Sequence, residues 1–351
     1  MNNRFLSLWC RYDTLGASSR LRFLQFIPAL ENAGFTVDHH TFFSNSYLER
    51  LYSDNHRSKT AFLAALLKRF RELRALDKKV PMVIEYELLP FMPFLAEKCF
   101  LSGRQYILNF DDAVDLRYEK IPLLRRKYPQ LIANAAGVIV ANDELLNRFS
   151  NYNSNVCKLP TVPPETPAGS IPVKPDNLLR IGWIGTPVTY GFLMKHADVL
   201  QKMYALCPFE LLAIARAELP AIPGIPTVNV DWSQDTEHHL LQSCHVGIMP
   251  LDDTPFAKGK SAFKLIQYLR ANIPAIASGV GENLRVIVEG KTGFCASTPE
   301  EWVGAWRQLA DIQIRNRMLP DIIVNAEKYS FGRNAGDLID FITSTLDAKY
   351  E

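Results

Sequence analysis

The sequence predicts an α/β protein with two domains, each built on a parallel β-sheet. Three observations lead to this prediction. Short apolar runs alternate with longer segments of helical period, a proline-rich segment interrupts the alternation once, and the alternation then starts again. The chain has 351 residues, 48% of them hydrophobic and 22% charged, and domains of roughly 150 residues would divide it into two.

The first half of the chain alternates predicted strands with predicted helices. We expect a strand where a short apolar run lies between turn residues, and a helix where apolar residues recur every three to four positions. This order of elements predicts a parallel sheet covered by crossover helices. The strands are predicted at 5–10, 35–39, 82–85, 106–110 and 137–140, and the helices at 19–33, 60–79, 91–102 and 144–150.

A proline-rich segment, LPTVPPETPAGSIPVKPD at 159–176, follows with six prolines. Proline has no backbone N–H and restricts the residue before it, so neither a helix nor a central strand can cross this segment. We therefore expect an N-terminal domain at 1–160, a linker at 161–177 and a second domain at 178–330. A C-terminal helix at 331–351 is expected to pack back on the first domain.

The second half repeats the alternation. Ligands of open parallel sheets bind at the carboxyl ends of the strands, so the loops there, facing a cleft between the domains, are the places to look for a site. The strands are predicted at 179–185, 209–215, 245–251, 274–278 and 293–296, and the helices at 190–205, 237–243, 261–271, 284–288 and 299–309.

Composition and spacing exclude several classes of protein. The net charge is +2, and no basic stripe is interleaved with aromatic residues, so nucleic acid is not an expected partner. The six cysteines are too far apart for metal-ligand spacing, so no metal site is expected. No apolar stretch approaches the ~20 residues of a membrane span, and the N-terminus lacks a cleavage site. We expect a cytoplasmic protein.

One window carries a family resemblance. It is IMPLDDTPFAKGKSAFKLIQYLRANIPAIASGVGENLRVIVEGKTGFCASTPEEW, at 248–302. In the order and spacing of its lysine loop, its PAIASGVGEN strand and turn and its EGKTGF segment, it resembles the donor-binding half of retaining glycosyltransferases of family 4. The segment RYDTLGASSRLR at 11–22 stands where the family places its first glycine loop, and NFDDAVD at 109–115 resembles a short acidic turn of some bacterial polysaccharide transferases. The resemblance implies the GT-B fold, two Rossmann-like parallel-sheet domains facing across a cleft.

The resemblance also implies an activity. A sugar would pass, with retention of configuration and without metal or cofactor, from a nucleotide-sugar donor on the second domain to a glycan or lipid-linked glycan on the first. The product would be a bacterial surface polysaccharide. The family's Glu-x7-Glu pair is absent, with Gly259 and Gln267 in its place. Two alternatives stay open. A nucleotide-sugar epimerase of the same fold is one, because fold alone does not fix the reaction. A sugar-nucleotide-binding protein with little turnover is the other, and the lost pair favours it.

Three lysines surround a predicted helix start in the segment KGKSAFK. Lys258, Lys260 and Lys264 bracket this start, Ser261 is its expected cap, and residues 260 and 264 should share one helix face. A helix N-terminus after a glycine-containing loop supplies N–H donors and a dipole for a diphosphate. The alternative is a solvated lysine surface.

Further candidates lie at predicted strand ends. The resemblance implies that an Arg/Lys couple, Arg216 with Lys264, stabilises the leaving diphosphate, although an ordinary loop arginine is the alternative. The loop 279–283 is either a phosphate or sugar contact or a simple turn, and Arg20 is either a phosphate contact or a surface charge. The donor-binding candidates are Gly16, Arg20, Gly185, Thr186, Lys260, Ser261, Gln267, Gly281, Glu282 and Asn283.

Carboxylates follow two strands of the first domain. Asp111 is the catalytic candidate, and Asp112 and Glu87 are candidates for binding the acceptor, with helix capping as the alternative for the two aspartates. The segment 60–79 carries six basic and two acidic residues, and Phe62, Leu66, Phe70 and Leu73 recur at helical spacing. A basic amphipathic helix can lie on an anionic membrane, so this helix either contacts the inner face of the cytoplasmic membrane or is an ordinary domain helix.

Overall fold

Two six-stranded parallel sheets organise the chain. A computed structural model describes residues 4–54, 58–165, 178–216 and 218–348. These residues divide into two units. The first unit comprises the described residues up to Pro164, together with Gly259–Ser261 and those from Gly332 onward, and the second comprises the described residues between. Much of the predicted linker, 166–177, lies outside the described residues.

The sheet of the first unit has the strand order β2-β1-β3-β4-β5-β6, with all neighbours parallel. A 3-10 turn at Leu24–Phe26 joins its first two helices. The elements are β1 (Arg4–Tyr12), α1 (Ala17–Arg22), α2 (Ile27–Asn32), β2 (Phe35–Phe43), α3 (Asn45–Asp54), α4 (Lys59–Ala75), β3 (Met82–Glu85), α5 (Phe94–Leu101), β4 (Tyr106–Phe110), α6 (Leu116–Glu119), α7 (Lys127–Asn134), β5 (Gly137–Val140), α8 (Asp143–Phe149) and β6 (Val156–Lys158).

The sheet of the second unit has the order β12-β11-β10-β7-β8-β9 and is again parallel. The chain then returns through one last helix, α17, to the first unit. The elements are β7 (Leu179–Ile184), α9 (Pro187–Lys195), α10 (Ala197–Leu206), β8 (Phe209–Ala215), β9 (Thr227–Asp231), α11 (Glu237–Gln242), β10 (Val246–Met249), α12 (Pro255–Lys258), α13 (Phe263–Arg270), β11 (Ala275–Ser278), α14 (Asn283–Val286), β12 (Gly293–Ala296), α15 (Pro299–Leu309), α16 (Ile312–Ala326) and α17 (Phe331–Asp347).

Each sheet contains one point at which the strand order reverses. In the first unit the order reverses between β1 and β3, and in the second between β7 and β10. The connections on the two sides of such a point leave over opposite faces of the sheet, and they open a crevice outside the carboxyl ends of the strands. The loops that follow β1, β3, β7 and β10 are therefore the positions at which each unit can hold a ligand.

Most strand boundaries agree with the sequence prediction, because the central strands are buried on both faces and therefore apolar throughout. The sequence pattern does not predict the edge strands β6 and β9, because their residues are half-buried or exposed and alternate weakly. The helix predicted at 19–33 is wrong as a single element. Phe23 leaves the helical conformation with φ −133° and ψ −66°, and Pro28 then lies in the first turn of a second helix, a position that proline favours.

The last helix contacts the sheet of the first unit. The Asn155 amide donates to Thr345 Oγ1 over 3.1 Å, and the Gln105 amide donates to the carbonyl of Leu346 over 3.2 Å. Gly137 leaves room for this contact, because a Cβ there would lie 2.9 Å from the Phe341 ring. The final segment of the chain is thus part of the first unit.

Helix α4 turns its predicted apolar face inward. Leu66 and Phe70 pack on the core of the first unit, where Leu73 is buried, and the Phe62 ring centre lies 5.7 Å from that of Phe42. The membrane-facing role predicted for Phe62, Leu66, Phe70 and Leu73 is therefore wrong. Different side chains point outward: Leu63 and Leu67 are 57% and 56% exposed, beside the exposed Lys68 and Arg71.

Among the residues that the structure describes, no helix combines the length and the apolar character that a bilayer span requires.

The glycine in strand β10 tests the packing of the second unit. A Cβ at Gly247 would lie 2.4 Å from the fully buried Tyr268 ring, so Gly247→Ala should lower the free energy of unfolding by about 1–3 kcal/mol through overpacking. Gly304, inside α15, has open space around it, and Gly304→Ala should raise that free energy by about 1 kcal/mol through helix propensity. Urea unfolding measures both, and equal effects would contradict the packing described.

Candidate functional site

One lysine reaches from helix α13 to strand β7, beside the point at which the strand order of the second sheet reverses. Lys264 lies in the first turn of α13, and its Nζ is 4.4 Å from the centre of the Trp183 ring on β7. The same Nζ is 3.4 Å from Thr189 Oγ1 on α9. A Cβ on Gly185 would lie 2.7 Å from this Nζ, so the absence of a side chain at 185 admits the ammonium group. The structure therefore brings Gly185, Thr186 and Lys264 together at the carboxyl end of β7.

The start of α13 differs from the prediction. The helix begins at Phe263, and its N-cap residue is Ala262, in the left-handed region with φ 52° and without a side-chain cap. The capping role predicted for Ser261 is therefore wrong. Lys260 precedes the helix, so it does not share a helix face with Lys264. The helix dipole disfavours a positive charge in the first turn of a helix. An anion bound beside Lys264 would offset this unfavourable interaction.

Lys260 and Ser261 are grouped with the first unit. Lys260 Nζ lies 3.3 Å from Asp112 Oδ2, and Ser261 is buried. The predicted phosphate ligand Lys260 and the predicted acceptor ligand Asp112 thus form an ion pair. Gln267 stays on α13, one turn after Lys264 and therefore on the same face, and its side chain is buried.

The loop 279–283 packs on the end of α12. Gly281 has φ 57°, and a Cβ there would lie 2.5 Å from the carbonyl oxygen of Lys258, so only glycine fits. Asn283 is buried, and its amide donates to the carbonyl of Ser278 over 3.0 Å. Glu282 is the buried N-cap residue of α14. These contacts give Gly281 and Asn283 structural roles, and the donor contacts predicted for the three residues stay predictions.

Arg216 emerges directly after β8, as the sequence predicted. Its guanidinium lies 5.1 Å from the centre of the Trp232 ring, which follows β9. Lys264 instead lies over Trp183 of β7. The family resemblance implies that Arg216 and Lys264 act as a couple. In the structure they lie over two different tryptophan rings, both at the carboxyl edge of the second sheet.

The loop after β1 is fixed by its own side chains. Gly16 is the N-cap residue of α1, and a Cβ there would lie 2.2 Å from Cβ of Tyr12. Arg20 donates to the carbonyl of Thr14 over 2.9 Å, and Asn45 accepts from the N–H of Leu15 over 2.9 Å. Gly16 and Arg20 thus shape the first loop at the reversal point of the first sheet.

A set of acidic groups lies at the ends of β3 and β4. Glu85 accepts hydrogen bonds from the N–H of Arg11 over 2.6 Å and from the hydroxyl of Ser19 over 2.5 Å, while burial raises its pKa. Tyr86, with φ 61°, donates its hydroxyl to Asp111. Burial, followed by the charge of Asp112, raises the pKa of Asp111 to about 7. A carboxyl group that titrates near neutral pH can accept a proton from a hydroxyl.

A buried arginine balances part of this negative charge. Arg22 donates to Asn109 Oδ1 over 2.9 Å and to the carbonyl of Leu159 over 2.6 Å. Burial lowers the pKa of Arg22 to about 10, against the opposing effect of Asp111. Arg22 also acts on Asp111 in the other direction, because its positive charge favours the ionised carboxylate.

Glu87 belongs to a buried ionic network. Its Oε1 accepts from the Tyr118 hydroxyl over 2.9 Å and from Arg11 over 3.3 Å. Its Oε2 lies 2.6 Å from Lys127 Nζ, which also pairs with Glu97 at 2.7 Å. Both carboxylate oxygens are thus held inside the first unit, and the structure offers neither to an acceptor.

The sequence alone does not identify several residues at the carboxyl edges of the two sheets. Trp183 and Thr189 hold Lys264, and Tyr86 holds Asp111. Thr186 and Thr189 have capping-box spacing, which could have drawn attention to residue 189. Tyr86 directly precedes the candidate Glu87, but nothing in the sequence predicts its positive φ. Among the described residues, no cluster of His, Cys, Asp and Glu side chains could hold a metal ion.

The raised pKa of Asp111 predicts a pH effect on stability. Between its ordinary pKa of 3.8 and about 7, the folded protein binds a proton that the unfolded chain has lost, so raising the pH through this range destabilises the fold. Asp111→Asn removes this effect, and Asp112, Tyr86, Glu85 and Arg22 remain around the site. The variant should therefore gain stability relative to the native protein between about pH 5 and about pH 8.

Urea unfolding across that pH range measures the gain, and the same substitution at the exposed Asp235 is the matched control. A stability difference between the native protein and Asp111→Asn that does not change with pH would contradict the raised pKa.

No protein-family model and no curated protein matches this chain. Solved structures do match. The chain is similar to sucrose-phosphate synthase from Thermosynechococcus elongatus, with a TM-score of 0.70 and 14% identity over 99% of this chain and 100% of that one. It is similar to WaaG, a glycosyltransferase involved in lipopolysaccharide biosynthesis, with a TM-score of 0.65 and 12% identity over 96% and 99%.

A putative UDP-N-acetylglucosamine 2-epimerase from Listeria monocytogenes is also similar, with a TM-score of 0.62 and 12% identity over 98% of this chain and 97% of that one. These likenesses, with the two parallel sheets, confirm the predicted fold class. The chain has the GT-B fold, with two Rossmann-like parallel-sheet units.

Proposed function

We propose that the chain is a glycosyltransferase that moves a sugar from a nucleotide-sugar donor to a glycan or lipid-linked glycan acceptor. The observation that carries this proposal is the position of Lys264, over Gly185 at the reversal point of the second sheet. Open α/β sheets bind their ligands at that point. The fold shared with a glycosyltransferase of lipopolysaccharide biosynthesis supports the reaction class.

On the second unit, Lys264 would hold the diphosphate of the donor. Its ammonium lies against the turn at Gly185 and Thr186, where the missing side chain of Gly185 leaves room for it. When the bond between the sugar and the diphosphate breaks, negative charge grows on the leaving diphosphate. A cation already in place stabilises this charge without reorganisation. Arg216 would add a second positive charge from the end of β8.

On the first unit, Asp111 would act on the acceptor. The attacking hydroxyl must lose a proton, and a carboxylate with a pKa of about 7 can take it at neutral pH. The hydroxyl of Tyr86 fixes the orientation of this carboxylate. Retention of configuration and independence of metal are the parts of the proposal that rest on the family resemblance.

The alternatives differ in their products. An epimerase, favoured by the likeness to the Listeria protein, would interconvert free nucleotide sugars without an acceptor, because a shared fold does not fix the reaction. A binding protein would show donor affinity without turnover, and Gln267 and Gly259 in place of two glutamates favour that reading. Nuclear magnetic resonance of a nucleotide sugar incubated with and without acceptor separates the three.

Donor binding provides the first test. A nucleoside diphosphate or nucleotide sugar that binds only the folded protein raises its stability, by about 2.7 kcal/mol at one hundred times the Kd. A thermal-shift panel of nucleoside diphosphates and nucleotide sugars, with and without magnesium, should give a selective shift that does not need the metal. A panel without any shift would contradict the proposal.

The lysine can be tested in the same assay. Lys264→Ala should weaken binding of the selected nucleotide by about tenfold or more, since it removes a charged partner of the diphosphate. Turnover should fall further, because the charge of the diphosphate grows during the reaction. Lys202→Ala, an exposed lysine on α10, is the matched control. Equal binding by both variants would remove Lys264 from the site.

We also propose that the protein acts in surface-polysaccharide assembly at the inner face of the cytoplasmic membrane. The outward face of α4 carries Leu63 and Leu67 beside Lys68 and Arg71, and such a face can contact anionic lipid. The double variant Leu63→Ser, Leu67→Ser should therefore lose co-flotation with liposomes that contain anionic lipid. If the native protein fails to float with these liposomes, the membrane proposal is wrong.

A further inference from the structure

A cavity of about 460 Å³ opens within the first unit beside the carboxyl ends of β1 and β2. None of the binding or catalytic roles proposed above uses it. A volume of this size suits a small-molecule ligand. Five aromatic side chains line it: Tyr12, Phe43, Tyr47, Phe62 and Phe91.

The rings form a continuous aromatic wall. Phe43 stacks on Tyr47, with ring centres 4.1 Å apart and planes 12° apart, and on Tyr12 at 5.9 Å. Phe62 and Phe91 continue the wall at 6.1 Å from each other. Because Tyr12, Phe43 and Tyr47 already stack on one another, no slot between these three rings is left for a planar base. Their flat faces and the hydroxyls of Tyr12 and Tyr47 suit the apolar face and the hydroxyls of a sugar ring.

The backbone conformation of Phe91 is a second, independent indication that the cavity binds a ligand. It has φ 61°, a conformation that costs a bulky residue on the order of 1–3 kcal/mol, and its side chain is 56% exposed. Its N–H donates to the Tyr118 hydroxyl over 2.8 Å. Core packing alone does not explain a strained residue that stays more than half exposed. Strain of this kind clusters at ligand-binding positions.

The charged residues that line the cavity are all basic. Arg11, Lys59 and Arg117 line it, and no acidic residue is among the described residues that do. The side chain of Arg11 is only 12% exposed, and its Nε has no hydrogen-bond partner among the described residues. A buried N–H donor without a partner costs about 1–3 kcal/mol. An anionic oxygen of a ligand would satisfy it.

We propose that this cavity binds an acidic saccharide, with the sugar ring on the aromatic wall and its carboxylate or phosphate on Arg11 and Arg117. The inference rests on the proposed function in one respect, namely that this saccharide is the acceptor or the part of the acceptor nearest the reacting hydroxyl. The transferase would then prefer an acidic glycan, or a sugar next to a phosphate, to a neutral glycan.

The test is a titration of the full chain, followed by nuclear magnetic resonance, with three probes: glucuronic acid, glucose 1-phosphate and glucose. The two acidic probes should bind about tenfold or more tightly than glucose, as expected for one charge-assisted hydrogen bond. The tighter of the two acidic probes identifies a carboxylate or a phosphate as the natural anion. Equal affinity for glucose and both acidic probes, or no binding of any probe, would overturn the proposal.

Two variants locate the binding. Arg117→Gln and Phe91→Gly should each weaken binding of the acidic probe by about tenfold, and Phe91→Gly should leave the protein at least as stable, because glycine accepts a positive φ. Lys120→Gln, an exposed charge on the surface after α6, is the matched control. Unchanged binding in Arg117→Gln and Phe91→Gly would place the saccharide elsewhere and overturn the assignment.

A parallel titration with a nucleoside diphosphate keeps this inference separate from the proposed function. If the nucleotide binds and the acidic probes do not, the cavity assignment is wrong while the transferase proposal stands. If the acidic probes bind and no nucleotide does, the cavity is a saccharide site and the transferase proposal is wrong.

Discussion

A parallel strand that is buried on both faces can be joined to its neighbour only by a crossover over one face of the sheet, and both units depend on this constraint. Each sheet reverses its strand order once, so the carboxyl ends of its strands and the loops beside the reversal share one edge. The groups that we connect with chemistry lie at these edges. Asp111 follows β4 and Gly185 follows β7, while Lys264 reaches the second edge from α13.

Buried charge fixes the edge of the first unit. Lys127 pairs with Glu87 and Glu97, and Arg22 acts on Asp111. Removing one partner of such a group would leave an uncompensated buried charge, so these side chains have little freedom to move. Arg11 belongs both to this network, through Glu87, and to the lining of the aromatic cavity. A rigid ionic scaffold therefore holds both the proposed proton acceptor and the proposed saccharide site.

The sequence predicts the fold well and the site in part. Central strands such as β4 and β5 are apolar at every position, so their boundaries can be read from the chain. Gly185 and Lys264 could be expected at one edge, because residue 185 ends a predicted strand and residue 264 lies near a predicted helix start. Other features arise only from tertiary contacts. The N-cap residue of α13 is Ala262, in the left-handed region, and not the predicted Ser261. Asp112 forms an ion pair with Lys260. No sequence pattern predicts the positive φ of Tyr86 and Phe91.

The most direct test of a donor site at the second edge is a crystal structure of the protein with a bound nucleoside diphosphate. We expect a diphosphate oxygen at about 3 Å from Lys264 Nζ, with the phosphates against the backbone of Gly185 and Thr186. A diphosphate bound on another edge, or one that reaches Gly185 while Lys264 stays on Trp183 and Thr189 without contacting it, would contradict the role given to this lysine.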